Sequence, residues 1–222
     1  SLCNEAQRRL VPTRQPIPEH VLVGTPPVAD PTWKDLYDSP SSMEFFRINY
    51  AGQIFFRLSR SFTLRLRADL GYGDAYGDTE VFPFYKHFFT GGMGAVRGYK
   101  TNTLGPRGTP SPLDNFNRFE PIGGNVLVET TAEILFPLPL VKDQRQIKSV
   151  FFLDAGNVFN TNCGTTSVIC NSIEDGELRY SAGIAISWIT GFAPLSFALS
   201  FPFNEKSGDE SESFQFEIGK TF

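Results

Sequence analysis

From Met43 onward, apolar and polar residues alternate with a period of two. Phe46, Ile48, Tyr50, Ile54, Phe56 and Leu58 share one face, and Arg47, Asn49, Gln53 and Arg57 the other, the signature of a strand with one apolar side. Phe62, Leu64, Leu66, Ala68, Leu70 and Tyr72 repeat it against Thr63, Arg65, Arg67 and Asp69. Five further strands follow. Val126 to Phe136 sets Glu129, Thr131 and Glu133 on its polar face. Lys148 to Phe159 is apolar on both sides but places Lys148 and Asp154 together. Leu178 to Trp188, Leu195 to Phe203 and Phe214 to Phe222 complete the set. Most span roughly 11 to 15 residues, where a soluble strand has about 5 or 6.

The connections alternate short and long. Ser59–Ser61 and Thr190–Pro194 are tight and Pro137–Ile147 is moderate, whereas 74–124, 160–177 and 204–213 are long. Transmembrane β-barrels have this asymmetry, with short periplasmic turns and longer extracellular loops. The predicted class is therefore all-β, an antiparallel transmembrane barrel with the C-terminus on the periplasmic side. A soluble sandwich would have shorter strands.

Composition sharpens this picture. The 22 Phe and 20 Gly against 2 Met and 2 Trp favour strands and turns over helices. No apolar run approaches the roughly 20 residues of a transmembrane helix, and the mean hydropathy is -0.17. With a net charge of -4 the chain carries no basic footprint, so no nucleic-acid partner is expected. Residues 1–42 hold seven prolines and no sustained period, and read as an irregular segment without an assigned role. The chain starts Ser-Leu-Cys, as in a mature, trimmed or fragmentary product. Cys163 and Cys170 flank a polar loop with no His nearby, which predicts a disulfide in an oxidising space and no metal site. Cys3 reads as an unpaired terminal thiol. The acidic run Asp209, Glu210 and Glu212 reads as a solvated loop. Tyr85, Phe88 and Phe89 suit an aromatic girdle or a small core within the loop.

The loop 74–124 exceeds the length at which unstructured connections are common. It contains Phe82-Pro83-Phe84-Tyr85, Gly91-Gly92-Met93-Gly94-Ala95-Val96-Arg97-Gly98-Tyr99 and Thr103-Leu104-Gly105-Pro106-Arg107. The glycines lack the G-x-G-x-x-G spacing of a dinucleotide site, and no cofactor is expected. Val96-Arg97-Gly98-Tyr99 resembles the loop signature of the BamA/TamA superfamily of outer-membrane barrels. The resemblance runs from about Met43 to Phe222. It includes Gly123-Gly124-Asn125, Phe152-Leu153-Asp154-Ala155-Gly156-Asn157-Val158-Phe159 and a final strand ending on Phe222, which looks like the sorting signal of bacterial outer-membrane proteins.

The resemblance implies the C-terminal seven to eight strands of a sixteen-stranded barrel in the bacterial cell outer membrane, without the family's periplasmic domains. It also implies an assembly factor that folds and inserts client β-barrel proteins through a lateral seam, with accessory lipoproteins as partners and no covalent catalysis. Related TamA-type or two-partner-secretion barrels share the motif, and a passive porin is a further alternative. The histidines, His20 and His87, have no recognisable nucleophile partner, so an enzyme is not expected. Arg97 should pair with Glu133 and Asp154 inside the barrel. Phe214, Phe216, Ile218, Gly219 and Phe222 belong to the seam strand and sorting signal, with Gly219 either a loosening kink or a tolerated strand-end glycine. Seven strands alone leave two bare edges, costly in lipid. Residues 1–42 could add an eighth strand, or a second copy could pair edge to edge.

Overall fold

A computed structural model describes residues 43–108, 119–138, 146–161, 177–206 and 208–219. The chain divides into two units, 1–42 and 43–222, and the description concerns the second. Cys163, Cys170 and Phe222 lie outside the described residues, so the expected disulfide and terminal aromatic do too.

Alternating sequence becomes alternating burial from the second strand onward, while the first strand, at the sheet edge, is exposed on both faces. Seven strands form one antiparallel sheet in chain order: β1 (Phe45–Arg57), β2 (Thr63–Ala75), β3 (Val126–Phe136), β4 (Ile147–Phe159), β5 (Arg179–Ile189), β6 (Pro194–Pro202) and β7 (Phe214–Ile218). Among the described residues each strand pairs with its sequence neighbour, so β1 and β7 are the edges of this sheet and do not pair with each other. Among the described residues, no helix is long and apolar enough to cross a membrane. One 3-10 turn, Phe84–Lys86, lies in the connection after β2.

The outer face carries Ile54, Leu66, Leu70, Ile134, Phe151, Leu153, Leu199, Phe201 and Phe216, all exposed. Water-exposed apolar area on this scale is unfavourable, and hydrocarbon removes the cost, which is the outward apolar band of a membrane barrel. On the inner face lie Arg65, Glu129, Glu133, Val150, Phe152, Asp154, Ser181, Ser187, Ser196, Ser200 and Gln215, all buried. Burial there comes from the 76–125 connection, which folds back against the sheet. Met93 packs with Val150, Phe152, Ala185 and Ala198, and Val96, Tyr99 and Leu104 form a second cluster.

Over the described residues, strand bounds agree with the alternation to within three residues. β7 is described as far as Ile218, and the expected continuation to Phe222 passes beyond the described residues. Gly219 adopts φ +90°, a left-handed conformation that glycine takes without steric cost, and its N–H donates to the Pro194 carbonyl at 2.8 Å. That bond continues the β6–β7 register, in which Leu195 faces Ile218.

Candidate functional site

The site begins with the strand register. β2, β3 and β4 place Arg65 opposite Glu133 and Glu133 opposite Phe152, while the two-residue period sets Asp154 on the same face as Phe152. Two buried carboxylates thus project from neighbouring strands toward the covering loop. Without cations this arrangement would be costly, because unpaired buried charge costs several kcal/mol per ion.

Arg97 supplies the main counter-charge. Its Nε and Nη2 donate to Asp154 Oδ2 and Oδ1 at 2.7 and 2.8 Å, the side-on fork that a planar guanidinium makes with a carboxylate. Its backbone N–H donates to Oδ2 at 3.1 Å, so Asp154 holds main chain and side chain together. Nη2 also lies 3.0 Å from Glu133 Oε1. The other Glu133 oxygen faces Arg65 Nη2 at 2.7 Å and Lys148 Nζ at 3.9 Å. Arg97 is 2% exposed and both carboxylates 0%, which shields the cluster from salt screening.

A ring completes the seat. The Arg97 guanidinium carbon stands 3.6 Å from the Phe152 ring centroid, a cation–π contact strengthened by desolvation. Phe152 can lie flat there because its cross-strand neighbour is Gly183. A Cβ on Gly183 would approach the ring to 2.7 Å and the Leu199 carbonyl to 2.1 Å.

The rest of the motif reaches the far edge of the sheet. Gly98, at φ +89°, fits between Ser181, Ser200 and Pro202, and an added Cβ would come within 3.0 Å of the Ser200 Cβ. Tyr99 is fully buried, with its hydroxyl 3.4 Å from the Tyr180 carbonyl. Burial, reinforced by the Asp209 carboxylate, pushes its phenol up to about 12. Val96 is also fully buried. The loop has a second anchor in Thr90, whose hydroxyl donates to Glu129.

The structure therefore brings Val96, Arg97, Gly98 and Tyr99 together with Glu133 and Asp154. It places Phe214, Phe216 and Ile218 on the exposed outer face of β7, away from this cluster. Within the acidic run, Glu212 is exposed as the charge pattern suggests and the Glu210 side chain is 43% exposed, but Asp209 is not solvated. Asp209 pairs with Arg179 at 2.5 Å with both side chains under 10% exposed, and Glu210 pairs with Lys100 at 2.8 Å. A run of like charges looks solvated until the fold supplies cations from distant positions. Phe88 belongs to the small core within the loop: it is buried, with Arg47 over its ring at 4.1 Å. His87 stacks on Phe82 and approaches the Ile122 carbonyl at 2.8 Å, a packing role.

Four contributors escaped the sequence reading: Arg65, Phe152, Thr90 and Gln215. Arg65 was within reach, since matching the polar faces of β2 and β3 puts it opposite Glu133. The other three needed the loop's folded position. Among the described residues, no group of three or more His, Cys, Asp or Glu could hold a metal ion.

Comparison with known proteins gives consistent results. Residues 37–222 match the Omp85 superfamily domain. An outer membrane protein assembly factor BamA of Neisseria meningitidis serogroup B is 35% identical over 198 residues, covering 82% of this chain and 24% of that protein. A protein of the same name from Nitratidesulfovibrio vulgaris is 27% identical over 63% of this chain and 16% of its own length. The crystal structure of BamA from Haemophilus ducreyi lacking POTRA domains 1–3 superimposes with a TM-score of 0.65 at 30% identity, over 78% of this chain and 34% of that one. The chain thus spans about a quarter of the length of the Neisseria relative.

Proposed function

The chain belongs to the Omp85 superfamily, and from that membership we propose that it forms the C-terminal part of a bacterial outer-membrane barrel that folds and inserts other β-barrel proteins. Its surroundings are the lipid bilayer of the outer membrane, its substrates are client barrel chains, and accessory lipoproteins assist it. No covalent step is involved. The work is the exchange of backbone hydrogen bonds: a client strand pairs with an exposed edge and leaves as part of a new barrel.

The observation that carries this reading is the Arg97 cluster. A passive channel gains nothing from a long loop pinned against its inner wall by buried ion pairs. A machine whose edge strand must open while the rest holds shape needs a rigid internal brace, and Arg97 joins loop, β3 and β4 through Glu133 and Asp154. At the sheet edge, β7 has five ladder residues among those described against nine in β6, and a short strand is the easiest to displace.

The test uses the full-length protein in liposomes. A denatured client barrel should fold faster into these vesicles than into protein-free ones, and planar bilayers should show little steady conductance. Equal folding rates with a stable open conductance would instead identify a porin.

A further inference from the structure

The motif loop touches the last strand as well as β3 and β4, and the contact has a specific form. Gln215, the buried inner-face residue of β7, accepts the Gly98 N–H at 3.2 Å and donates to the Tyr99 carbonyl at 2.7 Å. A single side-chain amide therefore satisfies a donor and an acceptor on successive residues of the motif, much as a neighbouring strand would. The segment just before β7 continues this pairing. The Glu212 N–H donates to the Gly98 carbonyl at 2.8 Å, the Lys100 N–H donates to the Glu210 carbonyl at 2.8 Å, and Tyr99 bridges Ser211 antiparallel. Side chains add Lys100–Glu210 and Arg179–Asp209.

Residues 209–215 therefore form a strap from the motif to β7. Gly98 makes it possible, because its φ of +89° is a turn that a residue with a Cβ adopts only under strain. Arg97, one residue earlier, fixes where the strap attaches.

We propose that Gln215 is a positioning residue that latches the terminal strand to the Arg97 cluster, so that β7 cannot leave its place while the motif is locked and is freed when the motif lets go. This deepens the assembly reading by giving the edge strand a latch. The physical reason is that, among the described residues, β7 is otherwise held by a five-residue ladder to β6 and by single backbone bonds at Ser213 and Gly219 on either side of it, so the Gln215 pair and the 210–212 contacts are a substantial share of its attachments. Local opening follows the weakest set of bonds.

Hydrogen exchange of the full-length protein in lipid, with no client present, tests the latch. Gln215→Leu should speed exchange of the 214–218 amides on the order of ten-fold, the effect of losing two buried hydrogen bonds, and leave the β3–β4 amides unchanged. Arg97→Ala should speed the same β7 amides, and the double variant should be no faster than the faster single one. Should Gln215→Leu not fold, Gln215→Glu retains the acceptor for Gly98 and loses the donor to Tyr99, and about a three-fold increase is expected. Exchange of β7 within two-fold of wild type in the folded Gln215 variant, or an Arg97→Ala effect that spares β7, would overturn the latch. Because no client takes part, failure of assisted folding in liposomes strikes the assembly reading and leaves this result standing.

Discussion

Replacing Arg97 by Met keeps the bulk of the side chain and removes its charge, and the structure sets what this costs. Glu133 retains Arg65 at 2.7 Å and Lys148 at 3.9 Å, so its charge stays compensated. Asp154 is fully buried, and among the described residues its hydrogen bonds come from Arg97 alone. The main-chain bond survives the substitution, but the two guanidinium bonds are lost. One orphaned carboxylate puts the loss near the lower end of the 3–5 kcal/mol typical of a broken buried pair, and the lost contact with Phe152 adds about 1 kcal/mol. The sum is about 4 kcal/mol. Asp154→Asn alone should cost about 1.5 kcal/mol, because one acceptor remains for Arg97. The double variant has no buried unpaired charge and should cost about 2.5 kcal/mol, leaving an interaction of about 3 kcal/mol between the sites. Urea unfolding in detergent, followed by the fluorescence of Trp188 on β5 and by loss of the compact electrophoretic form, gives all four free energies. Additive single effects within about 0.5 kcal/mol would refute the reasoning.

Arg97→Lys should recover less than half of that loss, since an ammonium cannot bond side-on to Asp154 and reach Glu133 together; the same urea series measures it. Gly98→Ala should destabilise by about 1–2 kcal/mol through its positive φ and raise protease cleavage of the 76–125 loop. For Tyr99, the folded pKa of about 12 lies above the ordinary phenol value of 10. Its contribution is therefore complete below pH 10 and is lost as pH rises from 10 through about 12, a range followed by tyrosinate absorbance during unfolding. Arg179→Ala should release the loop before β7, because Asp209 loses its buried partner, and limited proteolysis should then cut near residue 208. Mass spectrometry of the unreduced protein should show Cys163 and Cys170 linked, closing a loop worth on the order of 2–3 kcal/mol; two free thiols would contradict it.

Strand positions were legible because a strand with one face in an apolar medium must alternate, and even β4, apolar on both sides, keeps Lys148 and Asp154 on one face. The pairing of Arg97 with Glu133 and Asp154 was half legible. Alternation alone put each carboxylate on the polar face of its strand, but an arginine in a 50-residue connection has no periodicity to place it, and the family resemblance supplied that link. Gln215 shows a harder limit. A polar residue alternating with Phe214 and Phe216 looks the same whether it faces water or reads a backbone 116 residues away. The partners of Asp209 and Glu210 were hidden for a related reason, since Arg179 and Lys100 lie 30 and 110 residues earlier in the chain.

The claim most worth testing is that the β7 edge receives client strands. A photocrosslinking residue placed at Ile218 on β7, in the full-length protein during client assembly, should yield client adducts. The same group at Phe151, equally lipid-facing but in β4 with a paired strand on each side, should yield few. Equal adduct yields at the two positions, or none at Ile218 while the client folds, would contradict the claim.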